Sequence, residues 1–217
     1  WMLAPFENET DKLGIAVIDE KTMADIVERA TTAGLAVVTH AIGDRANRMV
    51  LDSLEASRSA GKGLHLRHRI EHAQVLDPHY IPRFTELGGI TSMQPVHATP
   101  HMRIADKPWG SRSRYAYAWR SLEQTGAPLA FGSDAPVETP DVIQGIHAAV
   151  TRCRADGTPG GDAGQENEQG SITPGKLADL TILSQDIFSV NPMAILETDV
   201  TGTVVGGAFV YGGIERG

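Results

Sequence analysis

The chain has 217 residues, 41% of them hydrophobic, with 23 glycines and a single cysteine, Cys153; this is the composition of a globular α/β protein with enough apolar mass for a core. Its 27 acidic against 19 basic residues leave a formal net charge of -8, which makes nucleic acid or an anionic membrane surface an electrostatically poor partner. One cysteine forms no internal disulfide, and no apolar run approaches the roughly 20 residues of a membrane span, so a reducing cytoplasm is the expected location. The chain begins at Trp1, without the charged start and apolar middle of a signal peptide, and reads as cut; a targeting segment ahead of it stays open.

From Thr22 to about Arg152 amphipathic helical stretches alternate with short apolar runs, the pattern of βα units building a parallel sheet. The predicted helices are "TMADIVERATTAG", "RANRMVLDSLEASRSAG", "DPHYIPRFTELG", "YAYAWRSLEQTG" and "TPDVIQGIHAAVTR", and most run into a glycine that suits a helix C-terminus. The predicted strands between them are "LAVVTH", "HLRHRIEHA", "GITSMQP" and "PLAFGSD". Residues 1–152 thus read as one unit. The glycine-rich polar run that follows marks a linker over 153–170, and "ADLTILS" with "GTVVGGAFVYGG" predicts a small β domain over 171–217, with a hairpin turn at Gly206-Gly207.

Each apolar run ends on a residue that is costly to bury: His40, then Glu71-His72, then Gln94 and His97, then Asp134. In parallel α/β folds, chemistry gathers at the carboxyl ends of strands, so these side chains are expected on one face. His40 alone reads more readily as a core or loop histidine. Joined by His72 and Asp134 on successive strands, it fits a divalent-metal site, because neutral imidazole and carboxylate both suit zinc and its first-row neighbours. His97 follows its strand directly and is assigned to substrate. His65, His68, His79, His101 and His147 read as structural or solvated, and Asp44 reads slightly better as a helix N-cap than as a site residue. The stretch "GSITPGKL" imitates a phosphate-binding loop but puts Leu177 where a magnesium-binding hydroxyl belongs, and reads as a turn.

Five motifs in order, "THAIGDRA", "RIEHAQ", "SMQPVH", "FGSDAPV" and "GSITPGKLADLTIL", resemble the amidohydrolase superfamily, and within it the family-3 members similar to N-substituted formamide deformylase. The resemblance implies a (β/α)₈ TIM-like barrel with one or two metal ions at the strand carboxyl ends and a small β-sandwich. His40 would be the ligand from the fifth strand and His72 from the sixth, with Asp134 on the eighth as ligand and proton shuttle. The family's His-x-His pair and its fourth-strand lysine have no counterpart, so the chain reads as the C-terminal half of the barrel, strands 5–8, plus sandwich strands. The pattern of a helix that the family carries near Gly161 is not found, either because the helix is deleted or because its residues are omitted from this sequence.

The implied activity is metal-dependent hydrolysis of a C–N bond in an amide, formamide or related small molecule, with zinc as the first choice of ion and Arg69 or Glu71 as further candidates for holding substrate or ligands. The competing reading is a non-catalytic barrel remnant or assembly subunit. A serine hydrolase is excluded by the lack of G-x-S-x-G. An open half-barrel would expose sheet edges, so a missing N-terminal half, a second chain or self-association is the expected partner.

Overall fold

The computed structural model describes residues 1–100, 109–158, 180–205 and 208–212. His101, most of the linker, the position of the family helix near Gly161, the "GSITPGKL" stretch and Gly206-Gly207 lie outside the described residues. The chain forms two compact units, residues 1–140 and 141–217.

In the first unit, helix α1 (Glu20–Thr32) starts where Asp19 accepts the Thr22 N–H at 2.7 Å, and it buries Met23, Val27 and Thr31. Strand β1 (Val38–Ala41) leads into α2 (Asp44–Ser59), which packs on α1 through apolar contacts and a buried Ser57–Thr31 hydroxyl pair at 2.9 Å. Strand β2 (Arg69–His72), helix α3 (Ile81–Glu86), strand β3 (Ile90–Met93), helix α4 (Trp119–Gln124) and strand β4 (Leu129–Phe131) follow. The strands pair in parallel in the order β1-β2-β3-β4, which is the parallel α/β architecture expected from the alternating pattern.

The elements are shorter than the periodicity predicts, for local reasons. Of "HLRHRIEHA" only Arg69–His72 is strand, since the chain turns left-handed at His72 and Ala73 (φ 72° and 42°). The predicted helix at "DPHYIPRFTELG" opens as a 3₁₀ turn at Pro78–Tyr80 before α3 takes over. Tyr115 closes another 3₁₀ turn and Tyr117 has φ 53°, so α4 cannot begin before Trp119.

Register gives the sheet two unlike faces. Thr39, Ile70, Thr91 and Leu129 lie in one row, with Ile70 and Thr91 buried, alongside a core of Val27, Leu51, Leu54, Phe84, Met93 and Leu122. The alternate row runs His40, Glu71, Ser92 and Ala130, none of them buried. The period of two therefore separates a packed face from a polar one.

Residues 1–13 lie against the start of α2. Met2 N–H donates to Leu13 O at 2.8 Å, Ala46 N–H to Trp1 O at 3.3 Å, and the Arg45 guanidinium sits 4.1 Å above the Trp1 ring. A Cβ on Gly43 would overlap the Trp1 carbonyl and crowd the Met2 sulfur, so only glycine fits there.

The second unit begins ahead of helix α5 (Val142–Thr151), which is capped by Asp141 and packs on a 3₁₀ turn at Pro192–Glu197. Strands β5 (Leu180–Leu183), β6 (Val200–Val205) and β7 (Ala208–Gly212) form an antiparallel sheet in that order. All of β7 is exposed, including Phe209, Val210 and Tyr211. Among the described residues no helix is long and apolar enough to cross a membrane.

Phe84 is 1% exposed, so Phe84→Ala is expected to cost about 3–5 kcal/mol in denaturant unfolding. Gly43→Ala is expected to cost about 1–3 kcal/mol through overpacking against the Trp1 backbone, read as a lowered Tm; an unchanged Tm would show that residues 1–3 do not hold that position.

Candidate metal centre

The residues that end the strands come together, and two of them are held in unusual backbone conformations. His72 closes β2 at φ 72°, and Asp134, three residues beyond β4, has φ 62°. Histidine and aspartate are among the few residues that enter the left-handed region at modest cost, and here the turn redirects each side chain out of the strand alternation. His97 lies within the helical residues 95–100, just past β3.

His72, His97 and Asp134 each offer a ligand atom, and these atoms all lie within 4.8 Å of one another. His97 Nε2 is 4.0 Å from Asp134 Oδ2, and the His72 and His97 rings stack at 5.9 Å with planes 17° apart. His72 and His97 are buried, whereas the Asp134 side chain is 37% exposed, so one side of the cluster faces solvent. His40 meets the group through His72, its ring edge-on at 4.4 Å. The three ligands expected from the sequence are thus neighbours, and His97, expected to contact substrate, stands in the closest group with His72 and Asp134.

The donor chemistry fits a divalent cation. His72 Nδ1 is buried and has no hydrogen-bond partner among the described residues, an arrangement that costs about 1–3 kcal/mol unless something accepts the lone pair. A cation held by imidazole and carboxylate satisfies that nitrogen. The His40 pKa is pushed below its ordinary value, first by partial desolvation of its ring and then by the charge of neighbouring His72, with Asp134 and Glu71 acting in the opposite direction. Such a histidine is neutral near pH 7, the form that binds metal.

The surroundings fix these groups in place. The Tyr117 hydroxyl donates to His97 O at 3.1 Å, and burial pushes its own pKa up. Tyr117 N–H in turn donates to Gln74 O at 2.7 Å, tying the turn after His72 to the His97 segment. Buried Asn47 donates to Ala41 O at 3.2 Å and Gly43 O at 2.9 Å, holding the chain just after His40. None of this was visible in the sequence, where a tyrosine in a left-handed turn and an asparagine inside a helix carry no signal.

The remaining candidates lie outside the His72–His97–Asp134 group. Arg69 and Glu71 pair with each other on β2, and Glu71 lies opposite His40 in register. Asp44 is not the N-cap of α2; Gly43 takes that position, and Asp44 Oδ1 accepts the Leu3 N–H at 2.7 Å and the Arg45 N–H at 2.8 Å. His68 Nδ1 accepts the Val37 N–H at 3.1 Å, His79 lies 2.7 Å from Asp77 in an exposed turn, His65 is exposed, and His147 is buried in α5 of the second unit.

Known proteins resemble the chain over most of its length. The sequence profile of the amidohydrolase family matches residues 1–163 and 161–211. The chain is 31% identical to YtcJ of Bacillus subtilis, a protein named as an amidohydrolase, over 95% of this chain and 43% of that one. N-substituted formamide deformylase of Arthrobacter pascens is 24% identical over 92% of this chain and 41% of its own. An uncharacterized metal-dependent hydrolase from Pyrococcus horikoshii aligns in structure with a TM-score of 0.61 at 28% identity, covering 70% of this chain and 30% of that one. The chain spans less than half the length of these curated relatives. Since the profile match takes in nearly all of its residues, the chain belongs to the amidohydrolase family.

Proposed function

We propose that the protein is a metal-dependent hydrolase that cleaves the C–N bond of a small amide, formamide or related substrate. The observation that carries this reading is the buried, unpartnered Nδ1 of His72 within the cluster completed by His97 and Asp134. The ion, zinc by donor chemistry, would be held by His40, His72 and Asp134, with His97 beside them. When bound, such an ion supplies Lewis acidity and lowers the pKa of water.

The chain's own groups account for the rest. Asp134 is the most exposed member of the cluster, so its carboxylate can take a proton from the attacking water and return it to the leaving nitrogen. His97, held through its backbone by Tyr117, positions the substrate carbonyl or joins the ligands. The named reaction of the formamide deformylase relative supports a C–N bond as the target.

In the same reading the four parallel strands are strands 5–8 of an eight-stranded barrel, and the β5-β6-β7 sheet belongs to a small sandwich domain. The other half of the barrel, on the same chain, on a second chain or through self-association, would supply the family's His-x-His pair and lysine. The reaction fits a cytoplasmic enzyme.

Asp134→Asn in the full-length protein is expected to lower kcat by about 10²–10⁴-fold with little change in Tm. A kcat within about threefold of the parent removes Asp134 from proton transfer. His72→Ala is expected to remove bound metal, measured by elemental analysis of the purified protein. Full metal content in that variant would overturn the ligand assignment.

A further inference from the structure

Residues 1–5 are gripped from two sides by groups that the proposed chemistry does not use. On one side Asp44, 4% exposed, accepts the Leu3 N–H at 2.7 Å, while Ala46 N–H reaches Trp1 O and Gly43 leaves room for the Trp1 carbonyl. On the other side the Arg112 guanidinium donates from Nη1 to Ala4 O at 2.7 Å and from Nη2 to Pro5 O at 2.7 Å, and from Nε to Trp109 O at 3.1 Å. Arginine's planar fork matches two adjacent carbonyls in a way that a lysine ammonium does not. The guanidinium thus ties two carbonyls of the segment to Trp109 O, beside the burial of Met2 and the packing of Trp1 against the core.

The two grips come from different parts of the sheet's carboxyl end. Asp44 lies four residues past His40, as the first residue of α2. Arg112 lies in the 3₁₀ turn Gly110–Tyr115, between β3 and α4, and Tyr117 just beyond it holds His97. Segment 1–5 therefore bridges the start of α2, just after the strand that carries His40, and the 3₁₀ turn Gly110–Tyr115, beyond which Tyr117 holds His97.

We propose that Asp44 and Arg112 are positioning residues that lock residues 1–5 as a fixed wall of the substrate site, and that this wall contributes binding of the substrate's non-reacting part. The inference rests on the hydrolase reading above for its substrate, but the locking itself does not. A wall that binds the ground state and the transition state alike lowers KM without altering kcat. The grip and the chemistry are thus separable.

The test uses the full-length protein with Arg112→Lys, Asp44→Ala and Asp44→Asn, followed by amide hydrogen exchange at residues 1–5, bound metal, and steady-state kinetics on N-substituted formamides of increasing size. Arg112→Lys and Asp44→Ala are expected to speed exchange in the segment at least tenfold and raise KM about tenfold for the largest formamide, with kcat within threefold and metal retained. Asp44→Asn keeps an acceptor oxygen for the Leu3 N–H and is expected to stay within threefold of the parent in both exchange and KM. Unchanged exchange in Arg112→Lys overturns the locking, and faster exchange with unchanged KM overturns the wall. Joint loss of metal and kcat in Arg112→Lys would show that Arg112 serves the cluster's integrity instead. If Asp44→Ala does not fold, Arg112→Lys carries the test alone. If the parent turns over no amide, the hydrolase reading falls, while the exchange data still decide whether the two residues lock the segment.

Discussion

The left-handed turn at the end of β2 is the constraint on which the site depends. A regular strand would send His72 to the same face as Ile70, into the helix-packed core. At φ 72° it leaves that alternation and meets His40 on one side and His97 on the other. Two successive left-handed residues, His72 and Ala73, cost on the order of 1–2 kcal/mol each, and backbone bonds on both sides hold them there. Ala73 N–H donates to Glu71 O at 3.0 Å, Val75 N–H to Ile42 O at 2.8 Å, and Leu76 N–H to Tyr115 O at 3.2 Å. Asp134 repeats the device after β4, where Val137 N–H donates to its carbonyl at 2.8 Å. Strain of this kind persists where surrounding structure over-determines it, which is characteristic of functional sites.

The parallel sheet and the convergence of its polar ends were legible in the sequence because they follow from short-range rules: alternation of helix and strand, and ligands at strand carboxyl ends. The element boundaries were less legible. The strand at "HLRHRIEHA" ends at its own histidine, and "YAYAWRSLEQTG" loses its first turn to the left-handed Tyr117, because both stretches obey tertiary contacts that no window of sequence contains. Within the site, His40, His72 and Asp134 could be picked out by position alone. The place of His97 in the tightest group could not, since it depends on how a helical turn after β3 folds back over His72. Asp44 shows the same limit from the other side: an aspartate at the start of a helix looks like a cap, and only the structure reveals that its acceptor is spent on Leu3, forty-one positions away in sequence.

The two faces of the sheet divide the work. The row containing Ile70 and Thr91 is sealed in the core, and the row containing His40 and Glu71 is left polar, with Arg69 and Glu71 neutralising each other on one strand. Glu71, opposite His40 in register, and Asp134 both raise the His40 pKa, but desolvation and the His72 charge outweigh them.

Strand β7 has a different meaning for the molecule's behaviour in solution. It presents "AFVYG" at the rim of a small antiparallel sheet with both of its faces exposed and, among the described residues, no strand on its outer side. A short run of β-branched and aromatic residues with no charge and no proline is a template for intermolecular pairing, in which one copy's free N–H and C=O groups are satisfied by the next. A lysine in place of Val210, on a strand position already open to water, would interrupt the template and leave the chemistry of His72, His97 and Asp134 untouched.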